Sequence, residues 1–160
     1  MALDFGIDIP NPAGLTLVDF NTDGKADIVV GQTNVRNKKI KPTVFFLKNQ
    51  LRKNYYLFYL QGVKSNRDGI GAKLEFSTNQ RKFIRWFKHQ RGGLPNQSEP
   101  MINIALKNRE ALKRVKVTWP YKKTNGQKIK KTYNFTKTKP GIYTLCESGK
   151  RKLNRGNCIN

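Results

Sequence analysis

The chain has 160 residues, with 32 Lys and Arg against 10 Asp and Glu, one His and two Cys, for a net charge of +22. That length holds one domain, or one domain with a small appendage. No apolar run is long enough to cross a membrane as a helix, and residues 1–10 lack the basic start and apolar stretch of a signal peptide. The charge is divided unevenly. Residues 1–33 carry five Asp and one Lys, a net of −4, and residues 34–160 carry 31 Lys and Arg against five acids, a net of +26. The first part suits a cation; the second suits nucleic acid, sulphated or phosphorylated glycan, or an anionic membrane surface.

In chain order, the first predicted elements are strands at Leu15–Phe20 and Ala26–Val30, and the loop between them carries the sharpest chemical signal. Asp19, Asn21, Asp23 and Asp27 fall at positions 1, 3, 5 and 9, with Gly24 at position 6. A hard cation such as calcium takes six to eight oxygens, which alternating side chains of a tight loop wrap around a point, with the Lys25 carbonyl as a further ligand. An EF-hand would place a bidentate Glu at position 12 between helices, whereas Val30 stands there and the flanks are β-type. The reading is a structural Ca2+ site in a hairpin. A metal-free Asx turn is the alternative.

A basic connector, Gln32 to Lys41, leads to a strand at Val44–Asn49 and an aromatic strand at Tyr55–Leu60. Strands follow at Gly71–Phe76, Arg81–His89 and Met101–Leu106, then one helical turn at Lys107–Leu112. Val115, Val117 and Trp119 share one face of the next strand, which the Asn125–Gly126 turn joins to Lys128–Phe135. The last strand is Ile142–Leu145. Ten short strands make the chain all-β. Cys146 and Cys158 are expected to form a disulfide across an otherwise structureless basic tail, 148–160.

Gly14–Asp19, the loop, and Asp27–Gly31, closed by Val44–Asn49, resemble one FG-GAP (VCBS-type) repeat of integrin-like propellers. From Asn54 to Glu147 the chain resembles the ASPIC/UnbV domain, the module of cartilage acidic protein-like proteins. Leu60–Ala72, Leu94–Pro100 and Val115-Lys116-Val117-Thr118-Trp119-Pro120 carry the likeness. It departs at Ile104–Lys107, where the family has Gly-Leu-Gly, and in its basic charge. The resemblance implies a calcium-loop hairpin unit, residues 1–50, packed with an antiparallel β-sandwich or barrel, residues 51–147. It also implies an extracellular, cell-surface or periplasmic setting and further FG-GAP repeats in a longer chain.

Catalysis is not expected. His89 has no acid beside it in sequence, and beyond the loop the acids are Asp68, Glu75, Glu99, Glu110 and Glu147. The expected function is a non-catalytic calcium-binding module for adhesion to an anionic glycan or similar polymer. Its candidate ligand residues are Arg81, Arg85, Trp86, Lys88, Lys128 and Lys130, where cations interleave with large apolar groups. The alternatives are nucleic-acid binding by the same face, or an accessory domain without a ligand. A plain solvated basic surface would look the same in sequence.

Overall fold

The computed structural model describes residues 9–51, 54–88 and 100–158. Eleven strands run through the described residues in chain order. They are β1 (Pro12–Val18), β2 (Asp27–Gln32), β3 (Thr43–Leu47), β4 (Asn54–Gln61), β5 (Lys73–Thr78), β6 (Lys82–Trp86), β7 (Ile102–Leu106), β8 (Leu112–Lys122), β9 (Lys128–Asn134), β10 (Gly141–Cys146) and β11 (Arg151–Leu153). No helix occurs among the described residues. Residues 107–111 turn without one, so the helical turn expected there is replaced by a reversal with Arg109 at φ 62°. Nor is the tail structureless: β11 pairs antiparallel with β10.

The strands form three sheets, ordered β1-β2-β3, β11-β10-β4-β7 and β6-β5-β8-β9. The two four-stranded sheets face each other as a sandwich, and no sheet closes on itself, which excludes the barrel alternative. Side chains alternate between the faces of a strand. Tyr56, Phe58 and Leu60 of β4, Ile102, Ile104 and Leu106 of β7, and Tyr143 and Leu145 of β10 point inward. They meet Leu74 and Phe76 of β5, Val115, Val117 and Trp119 of β8, and Tyr133 of β9. The centre is aromatic: Phe58 lies 5.4 Å from Phe76 and 5.5 Å from Phe135, ring to ring. Such pairs add about 0.5–1.5 kcal/mol each beyond the area they bury.

The closing contact is unusual for a mostly antiparallel fold. β10 runs parallel to β4, pairing Gly141 with Tyr56 and Cys146 with Gln61. β4 is apolar on both faces; Leu57 is fully buried on the side away from the sandwich core. That side is where the N-terminal hairpin sits. Asn103 of β7 donates from Nδ2 to the Gly24 carbonyl at 3.2 Å, and a Cβ placed on Gly24 would lie 3.6 Å from Gly141 Cα.

Between β4 and β5 the chain makes a compact loop, Gly62 to Gly71. Gly62 N donates to Arg67 O at 2.8 Å and Gly69 N to Asn66 O at 2.9 Å. A Cβ on Gly62 would stand 2.2 Å from Asn66 O and 2.9 Å from Ser65 O, both backbone atoms that cannot swing aside. Gly62→Ala is therefore expected to cost about 2–4 kcal/mol, the range of overpacking and backbone strain. Urea unfolding measures this directly, and an unchanged midpoint would refute it.

Candidate functional site

Two regions carry the candidate residues: the β1–β2 loop and the solvent side of the β6-β5-β8-β9 sheet. In the loop, β1 and β2 pair from Pro12 with Gln32 to Val18 with Asp27, so residues 19–26 cap a two-stranded ribbon. Asp19 accepts from Asp23 N at 3.0 Å and from Gly24 N at 2.8 Å. Asn21 Oδ1 accepts from Asp23 N, and its amide donates to Asp23 Oδ2. Asp23 accepts from Lys25 N and is paired with the Lys25 ammonium at 3.2 Å. Gly24 takes φ +82°, where a side chain would be strained.

Asp27 is fully buried at the start of β2. One of its oxygens accepts from Asn49 N at 2.7 Å, while Oδ2 has no hydrogen-bond partner. A buried carboxylate oxygen without a donor is costly unless a positive partner satisfies it. Burial raises the pKa of Asp19, and the charges of Asp23 and Asp27 add to that rise against two backbone bonds. The carboxylates thus repel one another across the loop. Among the described residues, no three His, Cys, Asp or Glu side chains are gathered tightly enough to form a metal cluster. The chemistry of the donors, all hard oxygens, and the orphaned Asp27 oxygen fit a hard cation.

On the second region, register fixes which side chains share the outer face. Trp86 of β6, Lys73 of β5, Thr118 of β8 and Lys130 of β9 form one row across four strands. Ile84, Glu75, Lys116 and Thr132 form the next, and Lys82, Ser77, Arg114 and Asn134 a third. Each row spans roughly 14 Å at the usual strand spacing. Trp86 and Ile84 are 54% and 46% exposed. The one carboxylate of the face, Glu75, is held by Lys73 at 3.2 Å and Lys116 at 3.7 Å, and those lysines lower its pKa. A shallow groove of about 550 Å3 runs over Ile84, Lys82, Arg114 and Lys116.

The structure brings together only some of the residues that the sequence singles out. Trp86 and Lys130 share the first row, and Lys128 lies at the start of β9, opposite Lys122. Arg81 and Arg85 are elsewhere. Both stack on Phe83, at 4.8 and 5.3 Å, and Phe83 packs against the core. Arg81 also bonds buried Glu110 at 2.8 Å, which makes it a structural clamp. Lys88 is exposed just beyond β6. Lys73, Arg114 and Lys116 join the face without having been singled out, because strand pairing, not sequence proximity, places them there, while Lys82 shares it by alternation within β6. His89 and residues 94–99 of the loop motif lie outside the described residues. Cys146 and Cys158 are disulfide-bonded, with Cα atoms 5.7 Å apart.

One buried acid had no visible role in the sequence. Glu147 follows β10 and reaches back to the Gly62 loop. Its carboxylate accepts from Val63 N and Lys64 N, each at 2.6 Å, from Ser65 N at 3.0 Å and from Ser65 Oγ at 2.7 Å. Burial opposes its charge, but the Ser65 and backbone bonds outweigh it and lower its pKa. Glu110 is lowered likewise, chiefly by its bond to Arg81.

Residues 62–140 match the family model described as ASPIC and UnbV. The matched stretch begins where β4 ends and stops where β10 begins, so it contains the Gly62 loop and all of the β6-β5-β8-β9 sheet. No curated protein matches the chain.

Glu147→Gln leaves three N–H donors facing an amide, and is expected to cost about 1–3 kcal/mol. A lowered folded pKa sets the sign of the pH effect. The contributions of Glu147 and Glu110 are fully present above the ordinary value of 4.5 and are lost as the pH falls through the lower folded values. Thermal melts between pH 7 and pH 3 should show the parent losing more stability than Glu147→Gln. Parallel losses in the two proteins would refute the role of this carboxylate.

Proposed function

Taking residues 62–140 as a domain of the ASPIC and UnbV kind, we propose that the chain is a non-catalytic β module that holds an anionic polymer, a glycan first, on the outer face of the β6-β5-β8-β9 sheet. Calcium in the β1–β2 loop would brace the hairpin, which rests on the outer side of the other sheet of the sandwich. The observation that carries this reading is the composition of that face. Five cations, Lys73, Lys82, Arg114, Lys116 and Lys130, surround two exposed apolar groups, Trp86 and Ile84, and the single acid is already paired.

The physics is that of counterion release with a local anchor. A polymer lying along a row exchanges its own counterions for lysine and arginine. Trp86 offers a flat apolar surface to a sugar ring, which a purely charged surface would not. Binding rather than acid–base chemistry suits such a face, since Glu75 is its only carboxylate among the described residues and His89 is outside them. An exported setting is supported by the Cys146–Cys158 disulfide, which persists in oxidising compartments.

For calcium, the side chains of Asp19, Asn21, Asp23 and Asp27 and the carbonyl of Lys25 would supply the ligands. The ion would neutralise carboxylates that otherwise repel. Calcium at a hundredfold excess over its dissociation constant is expected to stabilise the parent by about 2.7 kcal/mol. Asp19→Ala and Asp23→Ala should abolish that increment, whatever their melting points in chelator. An equal calcium increment in mutant and parent would sink the metal assignment.

A second reading has its own observation. The β1-β2-β3 sheet exposes Val44 and Phe46 at 57% and 61%, with Phe46 edge-on to Phe20 at 5.6 Å. Apolar groups left open on one blade-like sheet suit a neighbouring repeat of a longer propeller chain, with the whole chain as its accessory. Competition between sulphated glycan, lipopolysaccharide and single-stranded DNA of matched charge separates the readings. Preference for a glycan, weakened about tenfold by Trp86→Ala, supports the first. Preference for DNA replaces the glycan by nucleic acid. Indifference among the polymers removes the site and leaves the accessory role.

A further inference from the structure

Positive charge is concentrated a second time at the side of the sandwich, along the free edge of β9. A cleft of about 340 Å3 opens there between β9 and the Gly62 loop, lined by Lys64, Lys123, Lys128, Lys130 and Lys131. Among the described residues, none of these five ammonium groups is ion-paired with a carboxylate. Glu147 also reaches the cleft, but its oxygens are occupied by the four donors of Val63, Lys64 and Ser65. Those donors are neutral, so Glu147 keeps its single negative charge and the cleft sets five ammonium groups against one carboxylate that has no free acceptor.

The walls are fixed before any ligand arrives. Ser65 Oγ, which donates to Glu147, also accepts from Tyr121 N at 3.3 Å and so ties the loop to β8. The hairpin turn that carries Lys123 is closed by Lys123 N to Gln127 O and Gly126 N to Lys123 O, both at 2.8 Å. Lysines on an edge strand also guard against unwanted strand pairing. That accounts for Lys128, Lys130 and Lys131, but not for Lys64 and Lys123, which come from a loop and a turn and converge on the same space.

We infer that this cleft is a discrete site for a sulfate or phosphate ester carried on a saccharide. Five ammonium groups and no guanidinium provide point charges that meet a tetrahedral oxyanion from several sides, rather than a planar fork. The apolar surfaces of Val63 and Ile129 are available to the carbon skeleton that bears the ester. Among the described residues no aromatic ring lines the cleft, and an aromatic ring is the stacking platform by which single-stranded nucleic acid is usually held. The inference rests on the polyanion reading and places a specific anchor for the polymer beside the sheet face.

Calorimetry at near-physiological salt tests it with three probes: a heparin-derived hexasaccharide, a phosphomannan-derived oligosaccharide of similar charge, and oligothymidylate. The double variant Lys64→Gln/Lys131→Gln removes two charges from the cleft and none from the outer sheet face. It is expected to weaken saccharide binding at least about tenfold, whereas Lys38→Gln/Lys39→Gln, the same charge loss in the connector, weakens it less than about threefold. The stronger saccharide names the ester. Equal losses in the two double variants, or tighter binding of oligothymidylate, overturn the site. Loss on Trp86→Ala with Lys64→Gln/Lys131→Gln intact leaves the sheet face standing and removes the cleft. Failure of the parent to bind any probe removes both. Thermal melts check folding, and Lys64→Gln alone, which keeps the backbone bond to Glu147, serves if the double variant is unstable.

Discussion

The sandwich depends on a carboxylate that joins three parts of the chain far apart in sequence. Glu147 stands at the end of β10, the strand that closes its sheet by running parallel to β4. Parallel pairing brings no hairpin of its own to fix register. Here the register ends in a charged clamp: three consecutive N–H groups after β4 converge on one carboxylate, and Ser65 extends the network to the backbone of β8 in the opposite sheet. An apolar side chain in that place would leave these part-buried donors without an acceptor. Tyr133 adds a second tie across the sheets, donating to the Cys146 carbonyl at 2.5 Å.

This use of acids inside shapes the outside. Glu110 and Glu147 are buried and consumed by structure, and Asp27 is buried in the hairpin. The exposed faces of the sandwich therefore have fewer carboxylates than composition alone would assign them. Some cations are consumed as well: Arg81 by Glu110 and Phe83, and Arg151 by stacking on Phe135 at 4.4 Å and bonding Asn134 O. Arginine has been drawn into these stacked and forked contacts, for which its flat group is suited. Lysine supplies most of the charge left at the surface.

The all-β character and most strands were legible because alternation is a local signal. The val-x-val-x-trp pattern of β8 placed Val115, Val117 and Trp119 inward, as the core shows. The sandwich, rather than a barrel, was not legible, since it follows from which strands pair at long range. For the same reason the candidate face was only partly visible. Trp86 and Lys130 were identified as basic-aromatic neighbours in their own strands, but Lys73 and Lys116 reach the face through register across β5 and β8. Alternation along their own strand already sets Arg81 and Arg85 with Phe83 and opposite to Trp86; what the sequence leaves open is that this is the side that packs on the core. Glu147 was unreadable because its partners are backbone N–H groups more than 80 positions away. β11 was missed because two basic residues and one leucine are too short a run to carry a strand pattern, and the disulfide and β10 hold them in place.

The hairpin loop occupies a position where local chemistry has long reach. Its Gly24 carbonyl bonds Asn103 of the sandwich, while Asp27, Lys25 and Ala26 all bond Asn49 in the segment that leads into β4. One short loop thus touches both the sheet it rests on and the connection to that sheet. Carboxylates that repel push such a loop open, and a hard cation would draw them together. Because Asp27 would serve the ion with one oxygen and already holds Asn49 N with the other, any movement of that side chain is passed directly to the connector. The calcium proposal is therefore also a proposal about how firmly the N-terminal sheet is seated on the sandwich.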